Sequence, residues 1–207
     1  IEGEIFHVDS IIFNYEVKLA LAHQYTLPPF EVAHQGRVFC SRSVKKGSDD
    51  EIGLIKINNA VIKSLGLKKG VSHTEFIKGK DGKFYFLETS SRVGGANLSN
   101  MIEEYSGVNL WKEWAIIENM KENEKYKVPK VKNNYGAILI SLAKQENPDT
   151  TNYNDKEITW RLNKKYHAGL VIVSKKYERI SELINDYTKR IYDDFFISQP
   201  LKDKATN

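Results

Sequence analysis

His73-Thr74-Glu75-Phe76-Ile77-Lys78-Gly79-Lys80-Asp81-Gly82-Lys83-Phe84-Tyr85-Phe86-Leu87-Glu88-Thr89-Ser90-Ser91-Arg92-Val93-Gly94-Gly95 is the stretch whose reading decides the fold. Two runs rich in aromatic and β-branched residues, Val71 to Ile77 and Lys83 to Thr89, flank a polar loop, Lys78 to Gly82. Asp81-Gly82 supplies the positive backbone dihedral that a tight connection needs, so the text reads as an antiparallel hairpin. Its arms carry Glu75 and Glu88 near the open end. Carboxylates a few ångströms apart repel and raise a pKa unless a cation lies between them. Two such groups with an added hydroxyl form a hard-oxygen site. Mg²⁺ is commonly held by one or two carboxylates together with substrate phosphates.

Side chains alternate along a strand, so Ser90 shares the face of Glu88, and Arg92 follows if the strand persists. A guanidinium there would neutralise charge developing on a phosphoryl group. Gly94-Gly95 lets backbone approach a ligand closely. A plainer reading stands beside this one. Charged residues are common on hairpin arms, and Glu75 could pair with Lys78 or Arg92 at the surface. Spacing alone does not separate the two.

Upstream, Ile5 to Phe13 is apolar and β-branched, Asn14-Tyr15 suggests a turn, and Glu16 to Ala20 returns as a second strand. Leu27-Pro28-Pro29-Phe30 reads as a connector, and a short strand fits Arg37 to Ser41. Ser48 opens a helix, with Asp49, Asp50 and Glu51 placing negative charge where the helix dipole favours it. Ile52, Ile55, Ala60 and Ile62 contribute its apolar face, and Gly66 stops it. Downstream of the hairpin, Leu98 to Tyr105 forms a helix closed by Gly107. Asn109 caps another, from Leu110 to about Glu122. The Lys/Glu/Asn-rich segment Lys121 to Lys132 contains Pro129 and marks a boundary. Beyond it come strands at Tyr135 to Ala143, Ile158 to Leu162 and Ala168 to Ser174, then a helix from Glu178 to Phe196, with Ser174 capping the turn before it. The expected organisation is two units, 1–122 and 123–207, of α+β class.

Bulk properties narrow the functional classes. The chain has 207 residues, 41% hydrophobic and 28% charged, an ordinary globular composition. No apolar run approaches the roughly 20 residues that span a bilayer. Net charge is +4, but the lysine pairs sit beside turns and element ends. They read as solvated surface rather than a nucleic-acid groove. One cysteine, Cys40, excludes an intramolecular disulfide and a cysteine-based zinc site, and reads as a small strand residue. A reducing, cytoplasmic setting is the default. The chain opens at Ile1-Glu2-Gly3-Glu4, without methionine and already strand-like, which reads as a piece of a longer protein.

The residues quoted above resemble a family. An acidic residue, about a dozen residues containing a turn, then aromatic-Leu-Glu and an arginine four residues later resembles the ATP-grasp superfamily, which includes biotin carboxylase and the carbamoyl phosphate synthetase large subunit. His-Thr-Glu followed by Glu-x-x-x-Arg and glycine is similar, more narrowly, to the ATP-grasp L-amino acid ligases. The resemblance covers about Ile1 to Met120 and is specific around Glu75 to Gly95. It implies the C-terminal lobe of an ATP-grasp domain, an antiparallel sheet with flanking helices, followed by a small α+β domain that closes like a lid. It implies Mg²⁺ (with Mn²⁺ as a substitute) on Glu75 and Glu88, ATP as cosubstrate, and Arg92 as the catalytic contact to phosphate and an acyl phosphate.

His7, His73, Ser90 and Asn97 are the further candidates on the nucleotide or substrate side. His7 alternates with Asp9 on its strand. His73 shares a face with Glu75. Asn97 meets substrate or merely caps the helix after it. Arg42 is a candidate phosphate contact, and Trp111 with Trp114 reads as packing. Ser90 stands where the family has asparagine, which implies a looser or water-bridged second metal. The family's phosphate-gripping lysines, adenine hinge and Gly-rich loop lie upstream of Ile1, so this chain alone is expected to be inactive. The implied activity is ATP-dependent ligation of a small carboxylate to an amine, an amino acid ligase being favoured. Nucleic-acid and membrane partners are not expected, and a homodimer stays open. The rival readings are a carbamoyl phosphate synthetase- or biotin carboxylase-like enzyme and a non-catalytic nucleotide-binding module.

Overall fold

A computed structural model describes residues 2–27, 32, 37–121 and 123–197. Most of the connector Leu27-Pro28-Pro29-Phe30 lies outside the described residues, as does Glu122. Among the described residues, eight strands form one antiparallel sheet in the order β5-β4-β1-β2-β3-β6-β8-β7. In chain order they are β1 (Gly3–Phe13), β2 (Glu16–Tyr25), β3 (Phe39–Ser43), β4 (Lys69–Gly79), β5 (Phe84–Ser90), β6 (Tyr135–Leu142), β7 (Ile158–Arg161) and β8 (His167–Ser174). The helices among the described residues include α1 (Asp49–Leu65), α2 (Leu98–Ser106), α3 (Leu110–Asn119) and α4 (Tyr177–Asp194).

Local chemistry sets the element ends. Asn14 and Tyr15 both take positive φ (54° and 63°), turning β1 into β2. In the β4–β5 hairpin Gly82 takes φ 77°, and the Gly79 N–H donates to the Lys83 carbonyl. Ser48 Oγ accepts the Glu51 N–H, Glu51 reaches back to the Gly47 N–H, and Gly66 ends α1 in the left-handed region at φ 67°. These paired contacts satisfy donors that a helix start leaves orphaned. Asn109 caps α3 through its side chain, accepting the Lys112 N–H.

Three clusters hold the layers. On one face, α1 covers Phe6, Val8, Ala22 and Phe76 with Leu54, joined by Val44 from the segment after β3, and α4 covers Cys40, Ala137, Leu139, Leu170 and Ile172 with Ile180, Leu183 and Tyr187. On the other face, α2 and α3 cover Ile11, Phe13, Val71, Ile138 and Val171 with Leu98, Met101, Ile102, Tyr105 and Ile117. Gly136 makes that second layer close. A Cβ there would lie 2.7–2.9 Å from the Tyr105 side chain.

Two expectations need correction. The apolar face of α1 is set by Leu54 and Ile62, with Asn58 buried between them. Ile52 is 59% exposed, and Ala60 also faces solvent. Ile52 is two residues from Leu54, and Ala60 two from both Asn58 and Ile62, steps of about 200° round a helix, so both point away from the buried face. Trp111, expected to pack, is largely exposed and stacks on Trp114, which donates to Glu118. The division expected after residue 122 falls in the connector between α3 and β6. The sheet itself runs across it, because β3 pairs with β6 from Phe39↔Ile140 to Arg42↔Ala137.

Candidate functional site

Glu75 and Glu88 are direct register partners on β4 and β5. Cβ atoms of opposed residues lie roughly 5 Å apart on one face, so both carboxylates point from the same spot. A bulge falls between Glu75 and Phe76, on the hairpin side of the pair. Continued from Phe76↔Phe86, the register would set Glu75 against Leu87; the bulge brings Glu88 opposite Glu75 instead, and Ser90 then pairs with His73. The expected oxygen-rich corner is therefore assembled: Glu75, Glu88 and Ser90 share one face beside His73.

Arg92 departs from the expected geometry. β5 ends at Ser90, and Ser91-Arg92 bends away. Arg92 gets its place from the loop into α2 rather than from strand alternation. Its guanidinium donates to the carbonyl of the neighbouring Val93. Asn97 takes a left-handed conformation (φ 57°) before α2 and makes no capping bond with its side chain, which donates instead to Asn100 Oδ1. Arg42 points to the opposite face. It donates to Gln24 and Ser181 and lies over the Tyr177 ring, tying β3 to α4. That position does not serve the carboxylate corner.

Beneath the corner lies a buried polar network that the sequence reading did not assemble. β1 pairs His7 with Glu75 and Asp9 with His73 on one side, and His7 with His23 on the other. Asp9 is 1% exposed. Its Oδ2 accepts from His7 Nδ1 at 2.8 Å and its Oδ1 from His73 Nδ1 at 2.9 Å. His23 Nδ1 lies 3.2 Å from Oδ2, off the angle of a hydrogen bond, while its Nε2 meets the Tyr105 hydroxyl at 2.9 Å. His7 Nε2 is bonded to Ser41 Oγ at 2.8 Å. His7 therefore has both ring nitrogens occupied and no exposed surface. A candidate for the ligand side with packing as the plainer alternative, it lies buried beneath the corner. Tyr25 completes the set: its hydroxyl donates to Glu75 Oε1 at 2.9 Å. Gly94 closes the network from above, because a Cβ there would lie 2.9 Å from His73 Nδ1 and 3.1 Å from Asp9 Oδ1.

Electrostatics follow from this arrangement. Burial opposes charge on His73, but Asp9 and Glu75 overcome it and raise its pKa to about 10. Burial dominates at His7, whose pKa falls to about 3 despite Asp9. Burial would raise the Asp9 carboxyl, yet His73 and then His7 hold it well below the usual range. Glu75 is also lowered: burial works against its charge, and hydrogen bonds from His73 and Tyr25 win. The corner thus carries an ionised Glu75 backed by an imidazolium.

Two places suit a cation. His7, Asp9 and His73 are close enough to share one, among the described residues. Their ligand atoms already bond one another at 2.8–2.9 Å, and the His7 and His23 rings stack at 4.6 Å rather than radiating from a point. That geometry is a closed hydrogen-bond network. Glu75 and Glu88, opposed at the sheet's edge with hard oxygen donors only, fit Mg²⁺ better.

No family model matches the chain. The L-amino acid ligase from Bacillus licheniformis superposes with a TM-score of 0.70 at 15% identity, covering 96% of this chain and 53% of that one. N5-carboxyaminoimidazole synthase from Aspergillus clavatus, solved with ADP and 5-aminoimidazole ribonucleotide, superposes at 0.66 and 12% identity, covering 92% of this chain and 52% of that one. The fold is that of the ATP-grasp superfamily. In sequence, the L-arginine-specific L-amino acid ligase of Bacillus subtilis is 25% identical over 113 residues, 54% of this chain and 26% of that protein. The chain spans about half the length of the solved ATP-grasp structures it matches. No helix among the described residues is long and apolar enough to cross a membrane.

Proposed function

We propose that the chain is the metal-binding lobe of an ATP-dependent carboxylate–amine ligase, with an amino acid as the favoured carboxylate. The observation that carries the reading is the Glu75–Glu88 register pair, held open at the edge of the site face. The curated relative named as an L-amino acid ligase supports the substrate class. In this reading Glu75 and Glu88 hold Mg²⁺, which when bound would offset the charge of the ATP phosphates. Arg92, in the bend that follows β5, meets the transferred phosphoryl group. Ser90, shorter than a metal-binding asparagine, bears on a second cation through water. His73 keeps Glu75 ionised and oriented. Asn97 lies at the start of α2, on the substrate side.

The chemistry balances as two displacements. A substrate carboxylate oxygen attacks the γ-phosphorus, the β–γ bridging P–O bond breaks, and ADP leaves. The amine nitrogen then attacks the acyl carbon, the C–O bond to phosphate breaks, and the amine's proton passes to solvent. We assign 1–122 to the ATP-grasp lobe and 123–207 to its lid-like companion on the same sheet.

ADP release by the full-length gene product tests this, with Mg-ATP and the twenty amino acids, beside Glu88→Gln. Amino-acid-dependent ADP formation that is lost in the variant is the expected result. ADP formed only with bicarbonate would move the reading to carboxylase-type chemistry. Nucleotide binding with no turnover would move it to a non-catalytic module.

A further inference from the structure

The Glu75 carboxylate is braced by groups from two other strands. Tyr25 stands on β2, and β1 separates β2 from β4. Adjacent strands are about 4.8 Å apart, so Tyr25 and Glu75 rise from strands roughly 10 Å apart. The Tyr25 ring bridges that gap by lying over His7 at 4.6 Å, with Phe39 at its other side at 5.7 Å. Its hydroxyl then lands 2.9 Å from Glu75 Oε1. His73 Nε2 approaches the same oxygen at 3.5 Å, and His73 is itself anchored through Nδ1 on Asp9. Among the described residues, both of these contacts fall on Oε1 and neither on Oε2.

Resting on the reading of Glu75 and Glu88 as the Mg²⁺ ligands, we propose that Tyr25 is a positioning residue. Its hydroxyl pins Oε1 of Glu75 and leaves Oε2 for the cation, with the Asp9–His73 pair as the buttress behind it. A free glutamate on a strand samples several rotamers and swings away from an opposed carboxylate. Glu75 faces Glu88 directly, so repulsion favours that swing whenever the cation is absent. A donor fixed behind Glu75 holds the ligand geometry in advance of binding. Partners that orient a metal ligand in this way typically govern affinity by about 10- to 100-fold. The ring alone cannot do this, since phenylalanine would fill the same space without the donor.

Mn²⁺ affinity of the full-length gene product, with ADP present, separates this role from general support. Free Mn²⁺ is read by its paramagnetic resonance signal. Tyr25→Phe is expected to weaken Mn²⁺ binding about tenfold or more, with the thermal transition retained. Tyr105→Phe removes another buried hydroxyl, the one bonded to His23, and is expected to leave Mn²⁺ affinity unchanged. Wild-type affinity in Tyr25→Phe overturns the proposal, as does an equal loss in Tyr105→Phe. Unchanged affinity in Glu75→Gln would instead overturn the metal-site reading on which the proposal rests, and the proposal with it.

Discussion

Replacing Asp9 with asparagine removes the one negative charge at the centre of the buried network. The carboxylate accepts from two imidazoles at 2.8 and 2.9 Å, with a third nitrogen 3.2 Å away, and all of these groups are buried. Asparagine keeps the shape but offers one acceptor oxygen and a donor NH₂. One imidazole loses its acceptor, and His73 keeps its proton with only Glu75 to balance it. Removing one partner of a buried ion pair costs about 3–5 kcal/mol. Part of His73's compensation survives through Glu75, so the low end applies, about 3 kcal/mol. A typical domain has only about 5–15 kcal/mol in total, so the loss is easily resolved. Urea unfolding of Asp9→Asn should show a lower midpoint with an unchanged slope. His73→Gln removes the stranded cation, and the double variant should recover at least about 1 kcal/mol relative to the sum of the singles. Additive losses, or an Asp9→Asn cost below about 1 kcal/mol, would refute the hub.

Two further outcomes follow from the same geometry. His7 takes a proton near 6.5 in the unfolded chain but only near 3 when folded, so between those values the unfolded state binds the extra proton. Its contribution is therefore intact above 6.5 and is lost as pH falls toward 3, and urea midpoints measured through that window should fall less steeply in His7→Gln. Gly94→Ala introduces a Cβ at 2.9 Å from His73 Nδ1 and 3.1 Å from Asp9 Oδ1, and overpacking of this kind costs about 1–3 kcal/mol. Thermal unfolding should show it as a lowered midpoint, with Gly95→Ala, which meets nothing within 4 Å, as the unaffected neighbour.

Features written in short windows were legible without coordinates. Ser48 with Glu51, Gly66, Asn109 and Gly107 mark helix ends because capping is a contact among residues three or four apart. Asn14-Tyr15 and Asp81-Gly82 mark hairpins for the same local reason. The opposition of Glu75 and Glu88 does not belong here: continued from Phe76↔Phe86, the register of the tight loop would set Glu75 against Leu87, and only the bulge between Glu75 and Phe76 brings Glu88 opposite it. Arg92 was visible as a residue but not as a geometry. Its position depends on where β5 stops, and Ser91 carries no strong stop signal. Ile52 misled for another reason: apolar character says that a residue can be buried, not that it lies on the helix face the sheet covers.

By itself, then, the sequence determined the hairpins and the helix ends, products of backbone sterics and hydrogen bonds over a few residues, whereas the carboxylate pair also needed the bulge beside Glu75. Tertiary structure alone decided which distant residues meet. Asp9, His23, His73 and Tyr25 come from three strands, Tyr105 from a helix, and no spacing rule relates them. They converge because β2 and β4 both pair with β1 in a register set by the whole apolar face. A slip of one residue in either pairing would turn His23 and Tyr25, or His73 and Glu75, to the opposite side of the sheet. The pairing of β3 with β6 is likewise a long-range choice, running from Phe39↔Ile140 to Arg42↔Ala137. It is made by burial of Cys40, Ala137 and Leu139 under α4 rather than by any local signal.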